Sequence, residues 1–375
     1  MAKHRSTAIL GRQLTERDAR VATSTMEIRE AINKLERRED LTRAQARSVL
    51  EQLLSGTVPD AEIMALLVAL RDKGERVEEL VGFAEVMRER AREGLHQAGV
   101  SLESLQQGGP LLDTCVTGGD EKGTFNVSTA VALVAAAAGV RVAKHGNRSI
   151  SSRCGSADVL EALGVKIDIP LERIPECLAK VGMVFLFAPR LHLAMKHVMS
   201  ARRALKTKTV FNLLGPLTNP LGASVQLVGV YDRGRTGLMA RVLSKVGTRR
   251  AFVVAGHDGI DEITTTGATQ ISETEGATVS TREVTPEDFG LPRASSQALL
   301  GSDPEANARL MRQVLAGEKG PLRDLVLANA SAALVVAGQA SGFRDGVARA
   351  AEVLDSGAAL QKLDALVAIT REYAN

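Results

Sequence analysis

Residues 111–143 read LLDTCVTGGDEKGTFNVSTAVALVAAAAGVRVA. The apolar run Leu111–Val116 stops at a turn carrying Gly118 and Gly119. The Ala-rich stretch Ser128–Ala138 closes at Gly139, and a second apolar run, Val140–Ala143, follows at once. A short apolar run bounded by glycine fits a buried strand, and a longer Ala-rich run with glycine behind it fits a helix, so the order is strand, helix, strand. The alternation continues with a helix at Ser156–Leu163, a strand at Val165–Ile169, a helix at Leu171–Val181 and a strand at Met183–Ala188. A basic helix, Leu191–Leu205, interrupts it. It resumes with a strand at Val225–Val230, a helix at Thr236–Val246 and a strand at Ala251–Ala255, and from Asp303 onward the chain is mostly helical. Strands separated by helices pair in parallel, so the expected fold class is α/β, with a central, largely parallel sheet flanked by helices.

Upstream the period changes. Ile28, Ala31, Ile32 and Leu35 recur at helical spacing, as do Ala46, Val49, Leu50 and Leu53, then Ile63, Leu66, Leu67 and Leu70, then Leu80, Phe83, Ala84 and Met87. Four amphipathic helices follow, with capping-box starts at Ser24/Glu27 and Thr42/Gln45, a Pro59-Asp60 start, and stops at Gly56 and Gly74. The formal charge is +3, but residues 1–25 carry five cations against two acids and hold all of that excess. The leader has no apolar core of secretory type and reads as a flexible extension of a cytoplasmic protein. The 8 Phe, 2 Tyr and absent Trp argue against base-stacking recognition of nucleic acid, and no apolar run is long enough to span a membrane. Three widely spaced cysteines, Cys115, Cys154 and Cys177, suit a reducing compartment.

Four segments carry chemistry. Thr117-Gly118-Gly119-Asp120, then Thr124-Phe125-Asn126-Val127-Ser128-Thr129, join a strand end to a helix start, where free backbone N–H groups suit phosphate; a plain turn with Ser128 as N-cap is the alternative. Lys144-His145-Gly146-Asn147-Arg148-Ser149-Ile150-Ser151-Ser152-Arg153, followed by Ser156, is a dense donor set after a second strand, well suited to an anion. Gly256–Ile263 carries Asp261 and Glu262, adjacent carboxylates suited to Mg²⁺ or to a surface loop. The last segment runs from Phe187 through His192, Met195, Lys196, Arg202 and Arg203 to Phe211–Pro220. Its cations could grip a substrate carboxylate.

Together these segments resemble the anthranilate phosphoribosyltransferase family, from about Met26 to Thr370. The resemblance implies transfer of phosphoribosyl from phosphoribosyl pyrophosphate (PRPP) to the amine of anthranilate, a step of tryptophan biosynthesis. It implies a small helical domain (26–95, joined by 190–206) and a large α/β domain (96–189 and 207–375), with the active site between them and a homodimer through the helical domain. By position, Val116, Gly118, Gly119, Asp120, Thr124, Asn126, Val127, Ser128 and Thr129 resemble the PRPP loop, and Lys144, His145, Gly146, Asn147, Arg148, Ser149, Ile150, Ser151, Ser152 and Ser156 its second phosphate stretch. Val116, His145, Asn147 and Arg202 correspond to anthranilate contacts, and Ser128, Asp261 and Glu262 to ligands of two magnesium ions. No protein nucleophile is implied; Lys144 and Arg202 are the main electrostatic groups. Partners are small molecules, with neither nucleic acid nor membrane.

Three departures stand out. Val116 replaces a family glycine, which predicts backbone strain if φ is positive there, and Val116→Gly is expected to raise kcat/KM in steady-state assays. Leu193 and Ser200 replace prolines, and Lys206 replaces a glycine at the end of the basic helix. Rival readings are a pyrimidine nucleoside phosphorylase, whose lysine-histidine-serine signature is missing at Lys144-His145-Gly146, and a non-catalytic paralogue binding nucleic acid or a partner. The run Asp261-Glu262-Ile263-Thr264-Thr265-Thr266-Gly267 mimics a type I phosphoribosyltransferase loop and is read as a decoy.

Overall fold

A computed structural model describes residues 26–120, 122–149 and 153–373. The leader, Ser24, Ile150, Ser151 and Ser152 lie outside the described residues. The chain divides into two compact units, residues 26–86 with 194–209, and 87–193 with 210–373. The helix Val77–Gln97 belongs to both, contributing its residues through Val86 to the first and those from Met87 to the second.

The first unit is all helical: Ile28–Glu36, Arg43–Ser55, Asp60–Lys73, the start of Val77–Gln97, and Lys196–Leu205. Of its periodic residues, Ala31, Leu35, Leu50, Leu53, Ile63, Leu67, Leu70 and Phe83 are buried, and Ile32 is half-buried. Each large apolar side chain so removed from water contributes about 1.5–3 kcal/mol. Thr42 and Gln45 form the expected capping box, whereas the first helix begins at Ile28 with Glu27 as its N-cap, so a Ser24/Glu27 box does not start it. The basic helix is shorter than the sequence predicts: Leu193–Met195 forms a 3₁₀ turn and the α-helix proper is Lys196–Leu205. That helix ends at Lys206 in the left-handed conformation, φ 48° and ψ 32°. A side chain there strains the backbone, so Lys206→Gly is expected to stabilise the protein by roughly 0.5–1 kcal/mol after glycine's entropy cost. A thermal melt checks this, and a lower Tm contradicts it.

The second unit is built on seven strands: β1 (Leu111–Val116), β2 (Arg141–Gly146), β3 (Met183–Phe187), β4 (Val225–Gly229), β5 (Arg250–Gly256), β6 (Thr269–Glu275) and β7 (Thr278–Val284). Their order is β3-β2-β1-β4-β5-β6-β7; the first five run parallel, and β6 and β7 are antiparallel. Helices pack on the sheet, Val127–Ala137 and Pro321–Val336 being almost wholly buried. The β6–β7 hairpin is absent from the sequence reading. The expected strand Val165–Ile169 does not form: its odd residues are buried as in a strand, but the Lys166 N–H donates to the Thr370 hydroxyl (3.1 Å) and not to a sheet edge. Because β1 feeds β2 on one side while β4 lies on the other, the strand order reverses between β1 and β4. In open α/β sheets, ligands bind in the crevice at the carboxyl ends of such strands.

Candidate active site

At that crevice the last residue of β1, Val116, pairs in register with Gly229, the last of β4, and the Thr117 N–H donates to the Gly229 carbonyl (2.9 Å). Val116 is therefore extended, not left-handed, which corrects the strain expected of it and removes the ground for a gain in Val116→Gly. Left-handed geometry falls instead on Gly118 (φ 65°) and Gly119 (φ 79°), a consecutive pair that only glycine adopts without strain. The turn aims the Gly118 N–H at Asp261, which accepts it at 2.8 Å. One helix begins at Val127 with Asn126 as N-cap, so Ser128 is not the cap but a first-turn residue whose N–H donates to Glu262 Oε1 (3.1 Å). Two of the donors read as an anion cradle thus hold the protein's own carboxylates in place. The Val127 N–H is committed to the Phe125 carbonyl (2.8 Å) and its side chain to the core, while Thr129 is fully buried.

Lys144, 1 % exposed on β2, reaches under this turn. Its Nζ donates to the Thr114 carbonyl and to Ser128 Oγ (3.1 Å). Burial pulls the Lys144 ammonium below its usual range, and burial followed by repulsion from Asp261 pushes the Glu262 carboxyl well above its own. The next residue, Ile263, is clamped by fully buried Asn329, which accepts from its N–H (2.9 Å) and donates to its carbonyl (2.8 Å). Gly229 permits the whole arrangement, since a Cβ there would lie 1.6 Å from the Asp261 carbonyl oxygen.

The second stretch divides. Asn147 turns the chain with its own side chain accepting from the Arg148 N–H (2.7 Å), and Ser156 Oγ donates to the Asn147 carbonyl (3.2 Å). Gly146 faces that hydroxyl so closely that a Cβ would come within 2.4 Å of it. Arg148 is occupied by Asp158 (3.1 Å) and Glu161, and the Ser149 N–H donates to Asp158 (3.1 Å). Thr124 bridges to Leu300, and Asp120 accepts from the Lys122 N–H (3.3 Å). Thr264 and Thr266 both donate to Asp258 (2.7 Å each), which folds the threonine-rich run onto its own loop.

Beneath His145 lies a polar group that the sequence reading did not assign to the site. Asp113 is buried in β1, accepts from the His145 N–H (3.0 Å) and from Asn219 Nδ2 (2.9 Å), and is pushed up to about 6 by burial against the pull of Lys144. His145 Nδ1 faces the Gly215 carbonyl (3.2 Å) and must donate, so Nε2 accepts from His192 Nε2–H (3.2 Å). Burial pulls His145 down to about 4 and His192 to about 3 from the usual 6.5. Both are neutral when folded but take protons when unfolded. Their contribution to stability is full above about 6.5 and is lost as pH falls through that value towards about 4. The expected result is a Tm that drops with acidification across this window more steeply in the native protein than in His192→Gln; equal slopes contradict it.

Arg202 stands on Lys196–Leu205 in the helical unit, where burial pulls its guanidinium down to about 10. Among the described residues no group of three His, Cys, Asp or Glu is placed to hold a metal, and no helix is long and apolar enough to cross a membrane. All three cysteines are free and buried.

An open, largely parallel sheet carries a glycine turn, a buried lysine and a carboxylate pair at its switch point, and the family models place this arrangement among the glycosyl transferases. Residues 108–360 match the glycosyl transferase family a/b domain and residues 29–91 its helical bundle domain. Anthranilate phosphoribosyltransferases from Geobacter sulfurreducens and Anaeromyxobacter dehalogenans are 49% and 51% identical over 92% of this chain and 100% and 98% of theirs. The crystal structure of anthranilate phosphoribosyltransferase from Thermus thermophilus superposes with a TM-score of 0.81 at 43% identity, covering 91% of this chain and 99% of that one. The Saccharomyces cerevisiae enzyme in complex with PRPP and Mg gives 0.80 at 25% identity, covering 92% and 98%. The chain belongs to the anthranilate phosphoribosyltransferase family.

Proposed function

We propose that this chain joins PRPP to anthranilate, giving N-(5-phosphoribosyl)anthranilate and pyrophosphate, the second step from chorismate to tryptophan. The observation that carries the reading is the meeting of Gly118, Ser128, Lys144, Asp261 and Glu262 where β1 and β4 end. The bond from ribose C1 to the pyrophosphate oxygen breaks, the amine nitrogen bonds to C1 from the opposite face, and the amine gives up a proton. No nucleophilic side chain is needed; positioning and charge supply the rate. Lys144 sets a positive charge beneath the departing pyrophosphate. With the Gly118, Arg148 and Ser149 N–H groups held by Asp261, Asn147 and Asp158, the donors offered to PRPP are the Gly119 N–H and the Asn147 amide. His145 and Asn147 face the aromatic substrate, whose carboxylate suits the bidentate fork of an arginine such as Arg202.

The donor set suits magnesium: the candidate ligands Ser128, Asp261 and Glu262 offer only oxygen, and the mutual repulsion of two buried carboxyls is what a divalent cation relieves. When bound, magnesium supplies positive charge to the pyrophosphate oxygens. Two ions, a homodimer through the helical unit and a cytoplasmic location belong to the same proposal. The likeness to anthranilate phosphoribosyltransferases covers 92% of the chain, which disfavours the phosphorylase and the non-catalytic paralogue. Expression in a bacterium lacking this step of tryptophan synthesis tests it: growth without tryptophan is expected, and failure despite folded protein rejects it.

A further inference from the structure

The chain segments that follow β1 and β2 are tied together by a side chain far away in sequence. Asn307, 1 % exposed, lies in the first turn of the helix Pro304–Leu315. Its Oδ1 accepts from the Ser302 N–H (2.7 Å), and its Nδ2 donates to Asn126 Oδ1 (2.9 Å). Asn126 Nδ2 in turn donates to the Cys154 carbonyl (3.1 Å). A backbone N–H can only donate and a carbonyl can only accept, so these two ends fix the orientation of both amides, and the chain runs in one sense without conflict. The Asn307 amide also touches the Cys154 thiol, which burial pushes up to about 11 against that contact.

The segment before Asn307 backs the same turn. Leu299 O accepts from the Phe125 N–H (3.2 Å), the Gly301 N–H donates to the Gly123 carbonyl (2.8 Å), and Thr124 and Leu300 form an antiparallel bridge. Gly301 is packed so tightly that a Cβ would lie 2.7 Å from Asn307 Oδ1 and 3.0 Å from the Thr124 carbonyl.

We propose that Asn307 is a positioning residue for PRPP: through Asn126 and Cys154 it locks the turn after β1 to the stretch after β2, so that both donor sets meet the substrate's phosphates at a fixed separation. This rests on the PRPP reading given above. Untied, each segment would have to be ordered by the substrate itself, and affinity would carry that entropy.

The test is steady-state kinetics with Mg²⁺, PRPP and anthranilate on the full chain and on Asn307→Ala, Asn126→Ala and the double variant. KM for PRPP is expected to rise about tenfold in Asn307→Ala, the effect of losing a buried hydrogen bond. KM for anthranilate should stay within about twofold, and the double variant should be no worse than the poorer single one, because both act through one bond chain. An unchanged KM for PRPP, or multiplicative effects in the double variant, overturns the proposal. Should Asn307→Ala fail to fold, the near-isosteric Asn307→Asp keeps the acceptor for Ser302 and loses the donor to Asn126. Activity lost only in proportion to folded protein in that variant also overturns it. An inactive native protein would instead reject the PRPP reading itself.

Discussion

Lys144→Met is expected to lower kcat/KM by about 10²–10³-fold, the usual effect of deleting one preorganised group that faces developing negative charge. The side chain is buried, with its ammonium held by the Thr114 carbonyl and Ser128 Oγ, so methionine fills the volume while removing the charge. The loss extends to the resting protein. Asp113 and Glu262 are both held partly in check by the attraction of Lys144, and removing it pushes both carboxyls further up. A carboxyl raised above its unfolded value destabilises the fold as pH rises through its titration, so the variant should lose more stability at pH 8 than at pH 6. Kinetics at matched folded fraction, with melts at both values, separate the effects. A kcat/KM within tenfold of the native value would show that Lys144 is only structural.

Gly229→Ala is expected to cost about 10²-fold in kcat/KM, the scale at which displacements of about 1 Å act on a catalytic group. The added Cβ would lie 1.6 Å from the Asp261 carbonyl oxygen, so something must move. The strand cannot easily yield, since Gly229 is paired with Val116 on one side and with Val254 on the other. The segment carrying Asp261 and Glu262 must therefore shift, and with it the carboxylates that Gly118 and Ser128 now hold. Gly267→Ala, at a position with open space, is the control and should be neutral. If Gly229→Ala matched that control in both kinetics and Tm, the carboxylate pair would not need its present position.

Much of the framework is legible in the sequence because periodicity and glycine punctuation are local. β1 is legible to the residue, and β2, β3, β4 and β5 within about three, the usual error at element ends. The β6–β7 hairpin is not, because β6 fills most of its buried positions with Thr and Ser and β7 is largely exposed, leaving little apolar signal; only the turn at Gly276, with φ 58°, marks it. Val165–Ile169 shows the opposite failure, a strand-like alternation that buries its side chains without a partner strand. Among the candidate site residues, the motifs single out Lys144, Ser128, Asp261 and Glu262, which the fold brings together. They do not reveal Gly229, Asn329 or Asn307, whose roles depend on backbone approaching from segments far apart in the chain. Asp113 does leave a signal, a carboxylate within the apolar run Leu111–Val116, and its buried bonds to His145 and Asn219 explain it.

Phosphoribosyl transfer from PRPP to anthranilate with magnesium ties the site residues to one reaction. The most direct measurement follows anthranilate fluorescence and released pyrophosphate together, in purified full-length protein with both substrates, with Mg²⁺ and then with excess chelator. Loss of fluorescence matched one to one by pyrophosphate, abolished by the chelator and restored by Mg²⁺, is the expected result. Unchanged fluorescence at micromolar protein, or pyrophosphate released without loss of anthranilate, would contradict it.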